Sequence, residues 1–116
     1  MSFKDLKVWD KSHSLVLAVY RITQGFPQEE KFGLTQQVRR ASVSVMANIA
    51  EGTKRRSDRD FSHFLNIAEG SLEEVKCYLI LCKDLDYINE NVFKDLFAKS
   101  EEIGKMLQGL MKKLRT

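Results

Sequence analysis

The stretch that decides the fold runs from Phe61 to Cys82 and reads FSHFLNIAEGSLEEVKCYLILC. It carries the longest unbroken hydrophobic period of the chain, with apolar residues recurring at alternating steps of four and three. These residues are Phe61, Leu65, Ala68, Leu72, Val75, Leu79 and Cys82. Such spacing places one apolar row along a single side of an α-helix for about three heptads. The helix therefore needs partners that cover this row.

A second row lies beside the first on the same predicted helix. It consists of Phe64, Ile67, Ser71, Tyr78, Leu81 and Leu85. Together the two rows are too wide for the narrow seam of a two-stranded coiled coil. The pattern instead predicts the central helix of a helical bundle.

Three further helices are predicted around the central one. Their bounds are Asp5 to Thr23, Leu34 or Thr35 to about Gly52, and the segment after Asn89 to about Leu114. Thr35, Ser57 and Asn89 are placed to cap the second, central and last helices, and the central helix should end between Asp84 and Tyr87. Because all connections are short, the sequence predicts an all-α, antiparallel, up-down-up-down four-helix bundle. Its 116 residues suit a single domain over 1–116.

Composition restricts the class of protein. The chain is 43% hydrophobic and 30% charged with a single proline, which is typical of a globular domain. No apolar run reaches the roughly 18 residues of a membrane-spanning helix, and the first residues lack the apolar core of a signal peptide. We expect no membrane partner and a cytoplasmic location.

The residue types needed for catalysis are not arranged for it. His13 and His63 are the only histidines, and neither follows a glutamate by three residues, which is the spacing of bundle-bound di-iron sites. Cys77 and Cys82 lie about 140° apart around one helix, so they are poorly placed to share a metal or a disulfide. Both are expected to be reduced, buried apolar residues. The sequence predicts no catalytic residue, no metal and no cofactor, and the protein is not expected to be an enzyme.

Basic residues form two zones. The first comprises Lys54, Arg55 and Arg56 in the connection before the central helix, with Arg59 just beyond. The second is the pair Arg39 and Arg40, with Arg40 roughly 24 Å from Arg56 at 1.5 Å rise per residue. Both zones could bind phosphates, although a solvated loop is the alternative explanation for the first. The formal net charge of +3 is compatible with a nucleic-acid partner without requiring one.

Two other features of the chain concern its assembly. Asn48 interrupts the apolar row of the second helix and should be hydrogen-bonded, because an unpaired buried amide costs about 1 to 3 kcal/mol. The apolar residues are also too numerous for one four-helix core, which favours self-association over ordinary partial exposure. They include Trp9, Tyr20, Phe26, Phe32, Tyr78, Ile80, Tyr87, Phe97 and Met111.

Four segments, considered together, resemble a known family. They are FKDLKVW at 3–9, FGLTQQVRRA at 32–41, SVMANIAEG at 44–52 and GSLEE at 70–74. The chain looks like the 23S ribosomal-RNA intervening-sequence protein family, often labelled simply four helix bundle protein, and the resemblance covers nearly the whole chain. One departure is Met46, where the family commonly has proline.

The resemblance implies a four-helix protomer that assembles into a ring, typically a homopentamer. It also implies a relation to the accessory variability determinant proteins of diversity-generating retroelements, which bind nucleic acid through a basic surface alongside a reverse transcriptase. By position, Arg39, Arg40, Asn48 and Glu51 match the family motif that ends at Gly52. Residues 54–59 match its usually basic loop.

The sequence thus gives two hypotheses for function. The first is a non-enzymatic homo-oligomer that binds structured RNA or RNA/DNA through Arg39, Arg40, Lys54, Arg55, Arg56 and Arg59. The alternative is a protein-interaction scaffold or accessory subunit without nucleic-acid contact. In that case Trp9, Tyr20 or Phe97 should matter more than the arginines.

Overall fold

The fold of residues 2–115 was obtained as a computed structural model, and within that range it contains four α-helices and no strand. The helices are α1 (Lys7–Thr23), α2 (Leu34–Gly52), α3 (Asp58–Asp84) and α4 (Glu90–Leu114), preceded by short 3₁₀ turns at Phe3–Asp5 and Gln28–Glu30. The molecule measures 45 × 24 × 20 Å. The all-α, four-helix prediction is confirmed, with helix ends close to those expected.

Each helix contacts two others. Among the described residues, α1 packs against α2 and α4, and α3 packs against α2 and α4, whereas the diagonal pairs do not come into backbone proximity. The most extensive contact joins α2 to α3. This four-sided arrangement places the core along the middle of the bundle.

The apolar row that decides the fold faces this core. Leu65, Leu72 and Leu79 are at most 1% exposed, and Cys82 is fully buried at the end of the row. The second row lies at the edge of α3 instead, where Ile67, Leu81 and Leu85 remain 39%, 45% and 45% exposed. One row thus stabilises the protomer, and the other leaves apolar surface uncovered.

The start of the first helix differs from the prediction. Phe3–Asp5 forms a 3₁₀ turn in which the Ser2 hydroxyl accepts a hydrogen bond from the Lys4 N–H (3.3 Å) and the Asp5 carboxylate accepts one from the Ser2 N–H (3.2 Å). Leu6 is then extended, and α1 begins at Lys7. The reciprocal cap starts the 3₁₀ turn, and the extended Leu6 separates that turn from α1, so the helix begins two residues after the predicted start near Asp5.

Two of the three predicted N-caps are confirmed. The Ser57 hydroxyl accepts from the Asp60 N–H at 3.1 Å, and the Asn89 side-chain oxygen accepts from the Val92 N–H at 2.8 Å. Thr35 does not cap α2, because it lies buried inside the first turn. The Glu30 carboxylate performs that role by accepting from the Leu34 N–H at 3.1 Å.

The two cysteines have different surroundings. Cys82 is buried, and burial raises the pKa of its thiol to about 11. Cys77 is exposed, so the expectation that both thiols are buried is wrong for this residue. The rotation of about 140° between the two positions carries Cys77 to the outer side of α3.

Candidate nucleic-acid interface

The basic connection between α2 and α3 is a tight, hydrogen-bonded turn. The Lys54 N–H donates to the Glu51 carbonyl at 3.2 Å, and the Arg55 N–H donates to the Gly52 carbonyl at 3.1 Å. These bonds continue the end of α2 before Ser57 begins α3. The side chains of Lys54, Arg55 and Arg56 consequently project from a fixed backbone, and all three are exposed.

The cations of this turn have no acidic partner. Within residues 2–115, no carboxylate oxygen lies within 4.0 Å of the charged nitrogens of Lys54, Arg55, Arg56 or Arg59. The acids closest in sequence, Asp58 and Asp60, lie in the first turn of α3, where negative charge complements the helix dipole. We call the four cations the basic loop cluster.

One member of the basic loop cluster is oriented by an aromatic ring. The guanidinium carbon of Arg55 lies 5.0 Å from the centre of the Phe64 ring, within cation–π range. His63 contacts the same ring edge-on at 5.9 Å. Arg55 is therefore held along α3 while its donors stay accessible.

Gly52 allows the turn to approach α3. A Cβ at this buried position would lie 2.8 Å from Cδ1 of Phe61 and 3.0 Å from Cβ of Phe64. Both distances are shorter than ordinary carbon contacts. Only glycine fits at the end of α2 without displacing the rings that begin α3.

Asn48 belongs to a polar contact between α2 and α3. Its amide nitrogen donates to the Ser44 carbonyl at 2.9 Å and to the Ser44 hydroxyl at 3.1 Å. That hydroxyl lies 2.8 Å from the Ser71 hydroxyl across the helix pair. The hydrogen bond expected for Asn48 is present, and it reaches α3 only through Ser44.

Arg39 and Glu51, two residues that match the family motif, do not pair with each other in this protomer. The Arg39 guanidinium lies 4.5 Å from the centre of the Tyr20 ring, and its Nε donates to the Thr23 hydroxyl at 2.8 Å. Glu51 is exposed, and no described basic group lies within 4.0 Å of its carboxylate. Arg39 thus ties α2 to α1, whereas its neighbour Arg40 is exposed.

Arg40 borders two surface depressions. One, of about 280 Å³, lies between α2 and α3 and includes Gln37, Glu74 and Tyr78. The other, of about 390 Å³, lies beside the end of α1 and includes Tyr20 and Phe32. Phe32 is 81% exposed, although the sequence marks it only as one of many aromatic residues.

The residues named for the scaffold hypothesis are less accessible than Phe32. Trp9 is half-buried between Phe3 and His13, with ring centres 4.9 and 5.1 Å away. Phe97 is half-buried against Phe93 at 5.2 Å. Of the three, only Tyr20 is exposed, at 41%.

Two other kinds of site are absent from the described residues. Between Ser2 and Arg115, no group of three or more His, Cys, Asp or Glu side chains is placed to hold a metal ion. None of the helices in that range combines the length and apolarity needed to cross a membrane.

Comparisons with known proteins agree on the family. The family model described as 23S rRNA-intervening sequence protein matches residues 4–109. A crystal structure of a protein of unknown function from the S23 ribosomal protein family, from Bacteroides thetaiotaomicron, is 28% identical, with a TM-score of 0.84. The alignment covers 90% of this chain and 98% of that one. No curated protein matches the chain.

Proposed function

Since the chain belongs to the 23S rRNA-intervening sequence protein family, we propose that it is a non-enzymatic, homo-oligomeric bundle that binds structured RNA or RNA/DNA. The observation that carries this proposal is the basic loop cluster, four exposed cations without a carboxylate within 4.0 Å in the described chain. Like charges held this close repel one another, and a bound polyanion would relieve that repulsion. Phosphates supply the missing negative charge, and their counterions are released on binding.

The basic loop cluster suits a phosphate backbone better than a set of bases. Its guanidinium groups offer forked donors that match phosphate oxygens. Phosphate contacts fix the position of a protein on nucleic acid without reading its sequence. Binding should therefore depend strongly on salt and weakly on base sequence.

Arg40 extends the proposed phosphate-binding surface, whereas Arg39 contributes through architecture. Because the Arg39 side chain is engaged by Tyr20 and Thr23, its loss should affect packing of α1 on α2 as well as any binding. Arg40 has no carboxylate within 4.0 Å among the described residues. Of these two arginines, Arg40 is thus the one whose substitution tests phosphate binding without also disturbing the packing of α1 on α2.

The antiparallel course of the helices is part of the proposal, and side-chain contacts support it. Along α2 and α3, Ser44 bonds Ser71 while the later Gly52 approaches the earlier Phe61. Along α3 and α4, Lys76 pairs with Glu101 while the later Lys83 lies over the earlier Phe93 ring. In both helix pairs, later residues of one helix meet earlier residues of the next.

Self-association is supported by apolar side chains left on the surface. Six of them, between 39% and 46% exposed, are Leu17, Tyr20, Ile67, Ile80, Leu81 and Leu85. Three of these belong to the edge row of α3, where a second copy could cover them. The ring, its pentameric size, the cytoplasmic location and a reverse transcriptase or other protein partner rest on the sequence and the family resemblance, as does any relation to retroelement proteins.

The test is a salt-dependent anisotropy titration of the oligomer, its mass checked by light scattering, with a structured RNA and a DNA duplex. Arg55→Ala/Arg56→Ala should weaken binding and make the slope of log K against log salt shallower by roughly 1 to 2 for the duplex. The matched control is Lys94→Ala/Lys105→Ala, which removes the same charge from exposed positions on α4.

The control variant decides between local contact and overall charge. An equal loss of affinity in both double variants would mean that binding depends only on net charge, and the basic loop cluster would then not be a specific binding site. If the wild-type protein does not bind either probe at low salt, the nucleic-acid proposal fails. The scaffold function would then take its place.

A further inference from the structure

A groove beside the end of α1 contains aromatic surface that the core does not use. It has a volume of about 390 Å³ and is bordered by Tyr20, Phe32 and Val43. The Phe32 ring is 81% exposed and the Tyr20 side chain is 41% exposed. An aromatic ring this exposed gives little burial energy to the fold. We call this depression the Phe32 groove.

The charges around the Phe32 groove have a single sign. Lys31, Arg39 and Arg40 line it, and no acidic residue does. Among residues 2–115, neither Lys31 nor Arg40 has a carboxylate oxygen within 4.0 Å of its charged group. The occupant that complements such a groove is flat or apolar in its middle and negatively charged at its edge.

The Phe32 groove is also partly ordered before any ligand arrives. Arg39 lies over the Tyr20 ring at 4.5 Å and is held by its bond to Thr23 at 2.8 Å, so this wall is fixed. The Lys31 ammonium lies 5.6 Å from the centre of the Phe32 ring. Cations placed beside aromatic rings are the usual components of a stacking platform for single-stranded nucleic acid.

From these contacts we infer that the Phe32 groove receives an unpaired base of the bound nucleic acid. The base stacks on the Phe32 ring, and the flanking phosphates meet Lys31 and Arg40. The inference rests on the proposed nucleic-acid function and adds a requirement to it. A base inside a duplex has both faces covered by its neighbours, so the ligand must offer a bulge, a loop or a single-stranded end.

The position of the groove defines the geometry of the ligand. Arg40 and Gly52, after which the basic loop cluster begins, are roughly 18 Å apart along α2 at 1.5 Å per residue. A strand that kept the duplex rise of about 3.4 Å per nucleotide would cover this distance in five to six nucleotides, and a more extended single strand would need fewer. One protomer can therefore hold a duplex at the basic loop cluster and an unpaired base in the Phe32 groove, if the single-stranded end exceeds that length.

The experiment uses three labelled RNA probes that share one hairpin stem. The first is blunt, the second carries eight unpaired uridines, and the third carries eight abasic nucleotides with the same phosphates. Wild-type protein should bind the uridine probe about 5- to 150-fold more tightly than the abasic probe, which is the range of one base–aromatic stacking contact. The blunt probe should bind most weakly of the three.

Variants at Phe32 identify where the preference arises. Phe32→Leu keeps an apolar side chain without a ring, and it should reduce the ratio of uridine to abasic affinity to near one while leaving the blunt probe within about twofold. Phe32→Trp should restore the ratio, because the ring is what the base contacts. Phe97→Leu makes the same change from ring to aliphatic side chain at a half-buried position on α4 outside the groove, and it should leave the ratio unchanged.

Three results would overturn the inference. They are equal wild-type affinities for the uridine and abasic probes, a ratio retained in Phe32→Leu, and a change of oligomer mass in Phe32→Leu. The last result would assign the Phe32 groove to contact between copies. None of these results would count against phosphate binding by the basic loop cluster, provided that Arg55→Ala/Arg56→Ala still weakens the binding of all three probes by a common factor. Absence of binding to any probe at low salt is the failure of the proposed function itself.

Discussion

The connections between the helices differ in how their polar groups are used. The α1–α2 and α3–α4 connections are tied together, because the Tyr87 hydroxyl donates to the Glu30 carboxylate at 2.9 Å and Phe26 packs on the Tyr87 ring at 5.2 Å. The α2–α3 connection contains the basic loop cluster, whose charged groups find no carboxylate in the described chain. One region uses charge to hold the protein together, and the other leaves charge available to a ligand.

The same contrast holds on the surface between α3 and α4. The Lys76 ammonium lies 2.9 Å from the Glu73 carboxylate and 3.0 Å from that of Glu101, and these hydrogen bonds raise the pKa of Lys76 above its usual value. A cation so engaged is poorly placed to bind phosphate. Sequence counts treat Lys76 and Arg56 alike, but the structure separates a paired cation from an unpaired one.

Among the substitutions that test this difference between the connections, Gly52→Ala should change stability most, and it disturbs only the α2–α3 connection. The added Cβ would lie 2.8 Å from the Phe61 ring, and overpacking of this kind costs about 1 to 3 kcal/mol. Alanine regains up to about 1 kcal/mol of helix propensity. We therefore expect a net loss of roughly 1 to 2 kcal/mol in the free energy of unfolding, measured by urea denaturation.

Gly70→Ala is the matched control for this prediction. Gly70 lies exposed in the middle of α3, and a Cβ there would have no atom within 4 Å apart from its chain neighbours and the backbone of its own helix. The same substitution should therefore stabilise the protomer by about 0.5 to 1 kcal/mol. If the two variants change stability in the same direction, the close approach at Gly52 does not govern the effect.

The fold could be predicted because its main signal is local and repeated. Leu65, Leu72 and Leu79 repeat over a long helix, and burial of such a row stabilises it. The repeated pattern therefore identifies the helix even where its ends are predicted inaccurately. The basic loop cluster was also predictable, since charges in a short connection are exposed in almost any packing. Contacts across the bundle were not predictable in this way. Arg39 meets Thr23 and Tyr20, which are 16 and 19 residues away in the sequence, and no periodicity encodes that meeting.

The Phe32 groove and the cap of α2 were missed for a related reason. Phe32 is one of the apolar residues that are too numerous for one core, but the sequence does not show which of them stay outside, and only the packing of α1 on α2 reveals that Phe32 does. Glu30 caps α2 from four residues before Leu34, beyond the usual capping position. Both residues belong to the connection between α1 and α2, where irregular backbone replaces the helical period.

A smaller effect is expected at the α3–α4 connection from Asp86→Gly. Asp86 has φ of 61°, and its N–H donates to the Lys83 carbonyl at 2.9 Å while the Tyr87 N–H donates to the Cys82 carbonyl at 2.9 Å. This is the Schellman arrangement in which glycine is preferred. Glycine removes the strain of the left-handed conformation, but it also raises the conformational entropy of the unfolded chain. The net gain in the free energy of unfolding should be about 0.5 to 1 kcal/mol.

The thermal unfolding midpoint measures the Asp86→Gly gain, with Asp86→Ala as the control that keeps the Cβ. Alanine retains the steric conflict of the left-handed conformation and should not stabilise the protein. A gain in the alanine variant equal to that in the glycine variant would assign the effect to loss of the Asp86 charge. The ordering of the two variants therefore isolates the backbone conformation.

The smallest effect, and the most direct test of the tie between the two connections, is expected from Tyr87→Phe at alkaline pH. The hydrogen bond to Glu30 is the main cause that raises the pKa of Tyr87 above its usual value of 10.0. The folded state therefore favours the protonated phenol, so this contribution is complete below pH 10 and is lost as pH rises through the raised pKa. The pKa values of Cys82 and Lys76 are also raised, so the contributions of these groups to stability are lost at alkaline pH in wild type and in Tyr87→Phe alike. The difference between wild type and Tyr87→Phe in urea midpoint should thus be small and constant near neutral pH and should shrink above pH 10. Equal urea midpoints of wild type and Tyr87→Phe at neutral pH would mean that the hydroxyl adds nothing, and that the two connections are joined by packing of the ring on Phe26, which phenylalanine keeps.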